Sequence, residues 1–88
     1  MKLRYKFIVR NVSGKPVAVA VGQDNKKFNG MIKLNASGEV IFKLLMTEIS
    51  EEELVARFAE RFDISLDAAM PAVQEFLAQL RHGGLLED

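Results

Sequence analysis

The period of the apolar residues changes once along this chain, at Asn35, and no other feature constrains the fold as tightly. Before that point apolar and polar positions alternate, as strands with one packed and one wet face require; after it apolar residues recur every three or four positions, as on helices. In the first stretch, Leu3, Tyr5, Phe7 and Val9 share one face and Arg4, Lys6 and Arg10 the other, with Ile8 the exception. The turn-forming "NVSGKP" leads to a second strand with Val17, Val19 and Val21 on one face and Ala18 and Ala20 on the other; Pro16 stands at its start, where no ladder hydrogen bond is lost. "GQDNKK" reads as another turn. The third strand, "KFNGMIKL", puts Phe28, Ile32 and Leu34 on one face and Asn29, Met31 and Lys33 on the other. Gly30 occupies the middle of the apolar side, where glycine marks a bulge or a close backbone approach. The strands are expected over 3–10, 16–22 and 27–34.

From Asn35, a good N-cap, the chain turns into a helix over 36–46. Its main stripe is Val40, Ile41, Leu44 and Leu45, with Phe42 and Met46 on the other side, a pattern that predicts a helix sandwiched between neighbours. Ser50 and Glu53 form a capping box opening a second helix over 51–62, in which Leu54, Val55, Phe58, Ala59 and Phe62 face inward. Glu51, Glu52 and Glu53 lie in its first turn, where the helix dipole favours carboxylates. A third helix over 66–81, capped by Ser65 or Asp67 and stopped by "HGG", buries Leu66, Ala69, Met70, Val73, Leu77 and Leu80, with Phe76 at the edge of the stripe. Pro71 bends it if the cap is Ser65. Leu85 and Leu86 are expected to fold back over the end of the core. The sum is one α+β domain spanning 1–88: a three-stranded antiparallel N-terminal sheet followed by three helices, a winged-helix-like arrangement.

Composition narrows the function. With 88 residues, 49% of them hydrophobic and only two prolines, the chain is a folded single domain of the size of a module that works with a partner. No apolar run approaches the ~20 residues that span a bilayer, and residues 1–10 alternate instead of forming a signal-peptide core, so a cytoplasmic protein without a membrane partner is expected. The absence of cysteine removes disulfides, thiolate nucleophiles and Cys-based metal sites. The net charge of zero conceals a division: residues 1–43 hold nine Lys or Arg against Asp24 and Glu39, a net of +7, and residues 44–88 carry −7. The two halves attract each other, and the basic one favours acidic partners.

No catalytic constellation is present. His82 sits in the last helical turn without a second His at metal-ligand spacing, and Ser13, Ser37, Ser50 and Ser65 occupy turns or caps with no adjacent base. "NASGE" has one glycine and no following Lys-Ser/Thr, so it is not a phosphate loop. The expectation is a non-enzyme with no cofactor and no metal. A winged-helix transcriptional regulator binding DNA or another protein is the alternative, but a groove-reading third helix needs several cations, and this one offers Arg81 against Asp67 and Glu75. "DISL" differs from the Asp-Ser-Leu of acyl carriers by the intervening Ile64, and carriers are helical from the start.

"FNGMIKLNASGEVIFKLL", then "SEEELVARFAERFDIS", then a helix ending "FLAQLRHGGLL", resembles the coenzyme PQQ synthesis protein D (PqqD-like) family, also called RiPP recognition elements, over nearly the whole chain. The most telling parts are Leu34-Asn35-x-Ser37-Gly38 before an aromatic-containing helix and the closing Gly84-Leu85-Leu86; the family's usual tryptophan in the first helix corresponds to Phe42. The resemblance implies a peptide-binding adaptor, or peptide chaperone, in natural product biosynthesis. Such a domain takes the leader segment of a ribosomally made precursor as an extra strand beside strand three, in the cleft with helix three, and presents it to a modifying enzyme, often a radical SAM protein. The residues it implicates are Lys27, Phe28, Asn29, Gly30, Met31, Ile32 and Lys33 on the strand edge and Met70, Val73, Phe76, Leu77 and Leu80 on the helix. Lys27 and Lys33 would attract an acidic leader. An open strand edge also permits a homodimer, which would compete with the leader, and no nucleic acid partner is implied.

Overall fold

The computed structural model describes residues 1–22, 24–27 and 30–88, with Asn25 and Lys27 described in backbone only. Its elements in order are β1 (Lys2–Leu3), β2 (Phe7–Val12), β3 (Lys15–Ala20), α1 (Asp24–Lys27), β4 (Met31–Lys33), α2 (Ala36–Leu44), α3 (Glu51–Phe62), α4 (Leu66–His82) and β5 (Leu86–Glu87). The α+β class and the antiparallel sheet β2-β3-β4 followed by three helices are as the sequence predicts.

Each helix starts where a side chain can satisfy its free amides. The Asn35 side chain accepts from the Gly38 N–H at 2.7 Å, Ser50 Oγ from Glu53 N–H at 3.1 Å, and Ser65 Oγ from Ala68 N–H at 3.1 Å. Ser65, not Asp67, is therefore the cap of α4. The reciprocal half of the expected capping box is replaced by another pairing: the Glu53 carboxylate accepts from Arg57 Nε and Nη2 one turn on. Pro71 falls in the second turn of α4, so the Asp67 carbonyl has no i+4 amide to receive.

Three expectations about the strands are corrected. The first strand does not run through from Leu3. Leu3 belongs to β1, which pairs with β5 in a separate two-stranded sheet, and its N–H donates to the Leu45 carbonyl at the end of α2. Alternation reports which side chains are packed, and says nothing about which strand supplies the partner. "GQDNKK" is not wholly a turn, because Asp24–Lys27 forms α1. The Asp24 carboxylate anchors it by accepting from the Lys6 N–H at 2.7 Å. Lys27 therefore lies in a helix and the third strand shortens to Met31–Lys33. Phe28 and Asn29 lie outside the described residues.

The β2–β3 hairpin turns through Ser13 and Gly14, both at positive φ (54° and 78°), as the right-handed twist of a two-residue hairpin requires. Register then fixes the faces. Opposed residues Phe7–Ala20 and Val9–Ala18–Ile32 point to the helices; Ile8–Val19–Met31 and Arg10–Val17–Lys33 point away. The small residues of β3 thus face the core, with Ala18 and Ala20 buried beneath α2, α3 and α4 side chains. Its centre is Phe42, fully buried, with its ring edge-on to Phe7 at 5.1 Å. Leu54, Val55, Phe58 and Ala59 of α3 and Ala69, Val73, Leu77 and Leu80 of α4 complete it, and Leu85 and Leu86 fold back to close the end, as expected.

Candidate functional site

β4 is an edge of its sheet among the described residues, and the ladder determines which of its backbone groups are free. The Leu34 N–H donates to the Pro16 carbonyl at 3.0 Å, so the pairing continues Ile32–Ala18 with Leu34–Pro16. Hydrogen-bonded and non-hydrogen-bonded pairs alternate in an antiparallel ladder. Ile32 and Leu34 therefore direct their N–H and C=O groups at β3, while Met31 and Lys33 direct theirs outward. Two donors and two acceptors, spaced by two residues, are presented to an incoming strand.

A cleft of about 320 Å³ continues from the end of this edge, between the start of α2 and the outer side of α4. Its apolar floor is Ile41, Ala72 and Phe76, and its rim carries Lys33, Asn35, Ser37, Glu75 and Gln79. Gly38 sets its shape. A Cβ there would stand 2.9 Å from Phe76 Cε1 and 3.1 Å from the capping oxygen of Asn35, so the half-buried ring lies against the helix only because residue 38 has no side chain.

The residues implicated from sequence separate into groups. Met31, Ile32 and Lys33 form the edge, with Gly30 leading into it at φ 148°. Phe76 lies in the cleft. Val73, Leu77 and Leu80 are core and offer no surface to a guest. Met70 is exposed but sits across the helix from Phe76, about 120° away at 3.6 residues per turn. There it joins Leu66, Val55 and Ala56 in a separate shallow depression between α3 and α4. The apolar stripe of α4 mixed core with surface, because periodicity identifies a face without locating its margin. Ala72, Glu75 and Gln79, spaced three and four apart beside Phe76, are the available sign of a second face; in the sequence Asn35, Ser37 and Gly38 read as cap, turn and family motif, not as a cleft wall.

The site holds hydrogen-bonding groups and one charge of each sign, Lys33 and Glu75, with no acid–base pair in bonding contact. Among the described residues no group of three or more His, Asp or Glu could hold a metal ion. The carboxylates pushed below their ordinary range, Glu48 by its hydrogen bond from the N-terminal ammonium and Asp88 by Arg81, are at the β1–β5 end. No described helix is long and apolar enough to cross a membrane.

Among the described residues, then, an edge strand opens onto a cleft walled by two helices. The sequence matches the family model of coenzyme PQQ synthesis protein D (PqqD) over residues 16–86, and the chain belongs to that family. The match covers β4, α2 and α4, the elements that form the edge and the cleft. No curated protein matches the chain, and no solved structure does.

Proposed function

We propose that this protein is a non-catalytic adaptor that binds the leader segment of a ribosomally made precursor peptide as a fourth strand on β4 and presents it to a separate modifying enzyme, such as a radical SAM maturase. Membership of a family named for coenzyme PQQ synthesis supports an accessory role in peptide maturation. The observation that carries the reading is the β4 edge, where Met31 and Lys33 hold their backbone groups outward beside the Phe76 cleft. Main-chain hydrogen bonds give such strand addition its affinity and adjoining pockets its selectivity. The guest side chain opposite Ile32 would point to the α4 side, and its neighbours to the outer face of the sheet.

Met31→Pro tests this directly. Proline removes a donor aimed at the guest and leaves the Ile32–Ala18 bonds to β3 in place. Titration of the synthetic leader encoded beside this gene, followed by fluorescence anisotropy, should show affinity lost by about tenfold or more, the value of roughly one backbone hydrogen bond left unmade at a closed interface. A folded Met31→Pro variant that binds the leader as tightly as the parent would overturn strand addition. Duplex DNA at moderate salt serves as the second titrant, and binding to it alone would favour the regulator.

A further inference from the structure

The outer face of β2 and β3 lies beyond the β4 edge that would take the leader. Ile8 and Val19, half-buried, and Met31, exposed, form a row across all three strands; Val17, in the next row between Arg10 and Lys33, is buried and adds no surface. Val12, 49% exposed, faces Lys15 at the hairpin end, and Met31 is 63% exposed. Arg10, Lys15 and Lys33 are exposed on this face, and β2, β3 and β4 contain no acidic residue. Among the described residues no aromatic ring stands on it, so they offer no platform for stacking a nucleic-acid base.

We propose that this face is the docking surface for the peptide-modifying enzyme, through a patch on that enzyme with an apolar centre and a rim of carboxylates. Charge complementarity specifies the partner: an apolar row bordered on one side by three cations accepts an acidic surface and repels a basic one. The inference rests on the adaptor reading for the identity of the partner, and it adds a mechanism of coupling. A guest strand paired to β4 lengthens the row Ile8–Val19–Met31 by one residue, because every second guest side chain projects onto the outer face. The enzyme then meets a composite surface, part adaptor and part leader. Leader and enzyme therefore strengthen each other's binding by the same factor.

The test uses the full chain, the leader and the enzyme encoded beside it, with Arg10→Glu/Lys15→Glu as the variant. Both residues are exposed and lie on β2 and β3, off the β4 strand whose outward backbone groups would take the leader. Calorimetry should show enzyme affinity falling by about tenfold or more, leader affinity unchanged, and the parent's enzyme affinity rising several-fold when leader is present. Enzyme binding equal in parent and variant, with leader binding intact, would overturn the docking proposal alone. Loss of enzyme affinity in the variant, with no leader bound by either protein, would uphold the surface and sink the adaptor reading. An enzyme that binds neither protein overturns the proposal.

Discussion

Gly38 and Phe76 show how one absent side chain shapes the cleft. Alanine at 38 would gain up to about 1 kcal/mol of helix propensity, yet its methyl would overlap the Phe76 ring and crowd the Asn35 cap. Gly38→Ala is therefore expected to change thermal stability by no more than about 1–2 kcal/mol while pushing the ring into the cleft and weakening leader binding severalfold, read by denaturation and anisotropy on the same sample. The backbone of β4 supplies a second contrast. Ile32→Pro, unlike Met31→Pro, removes an N–H bonded inside the sheet and should cost about 1–3 kcal/mol of stability. On α4, Leu77→Ala should cost about 2–5 kcal/mol by opening a cavity in the core. Phe76→Ala, at a half-buried position, should cost less stability than Leu77→Ala and lose more leader affinity.

At the level of elements, the helices were legible because their ends announce themselves chemically. Asn35, Ser50 and Ser65 each accept an amide three residues on, as their residue types at those spacings imply. The strands were less legible for a physical reason. A pattern of alternating apolar residues is the same whether they pack on one sheet or are shared between two, so Leu3 was assigned to the strand of Phe7 although it pairs with Leu86. The third strand ran together with α1 because "DNKK" is equally at home in a turn and in one helical turn, and the deciding contact, Asp24 with the Lys6 N–H, joins residues eighteen apart. In the candidate site, the edge position of β4 and the place of Phe76 at the margin of the α4 stripe were readable. The separation of Met70 from the cleft and the burial of Val73, Leu77 and Leu80 needed the packing of α4 against α3 and the sheet.

Across the whole molecule, the division of charge acquires a place. The basic half forms the sheet and the acidic half forms α3 and α4, so the outer sheet face is cationic while Glu75 borders the cleft from the helix side. A leader whose acidic residues approach Lys33 should bind more weakly as salt rises from about 0.05 to 0.5 M, because the exposed charge is screened; affinity independent of salt would remove the charge contribution and leave the backbone pairing as the source of binding. On the proposed function the guest enters at β4. An amide NMR titration of isotopically labelled protein with the synthetic leader tests it most directly. Shifts should concentrate at residues 30–38 and on the Ala72–Phe76–Gln79 side of α4, and be absent in a folded Met31→Pro variant. Leader-induced shifts confined to the β1–β5 end, or none with the leader and clear shifts with duplex DNA, would contradict it.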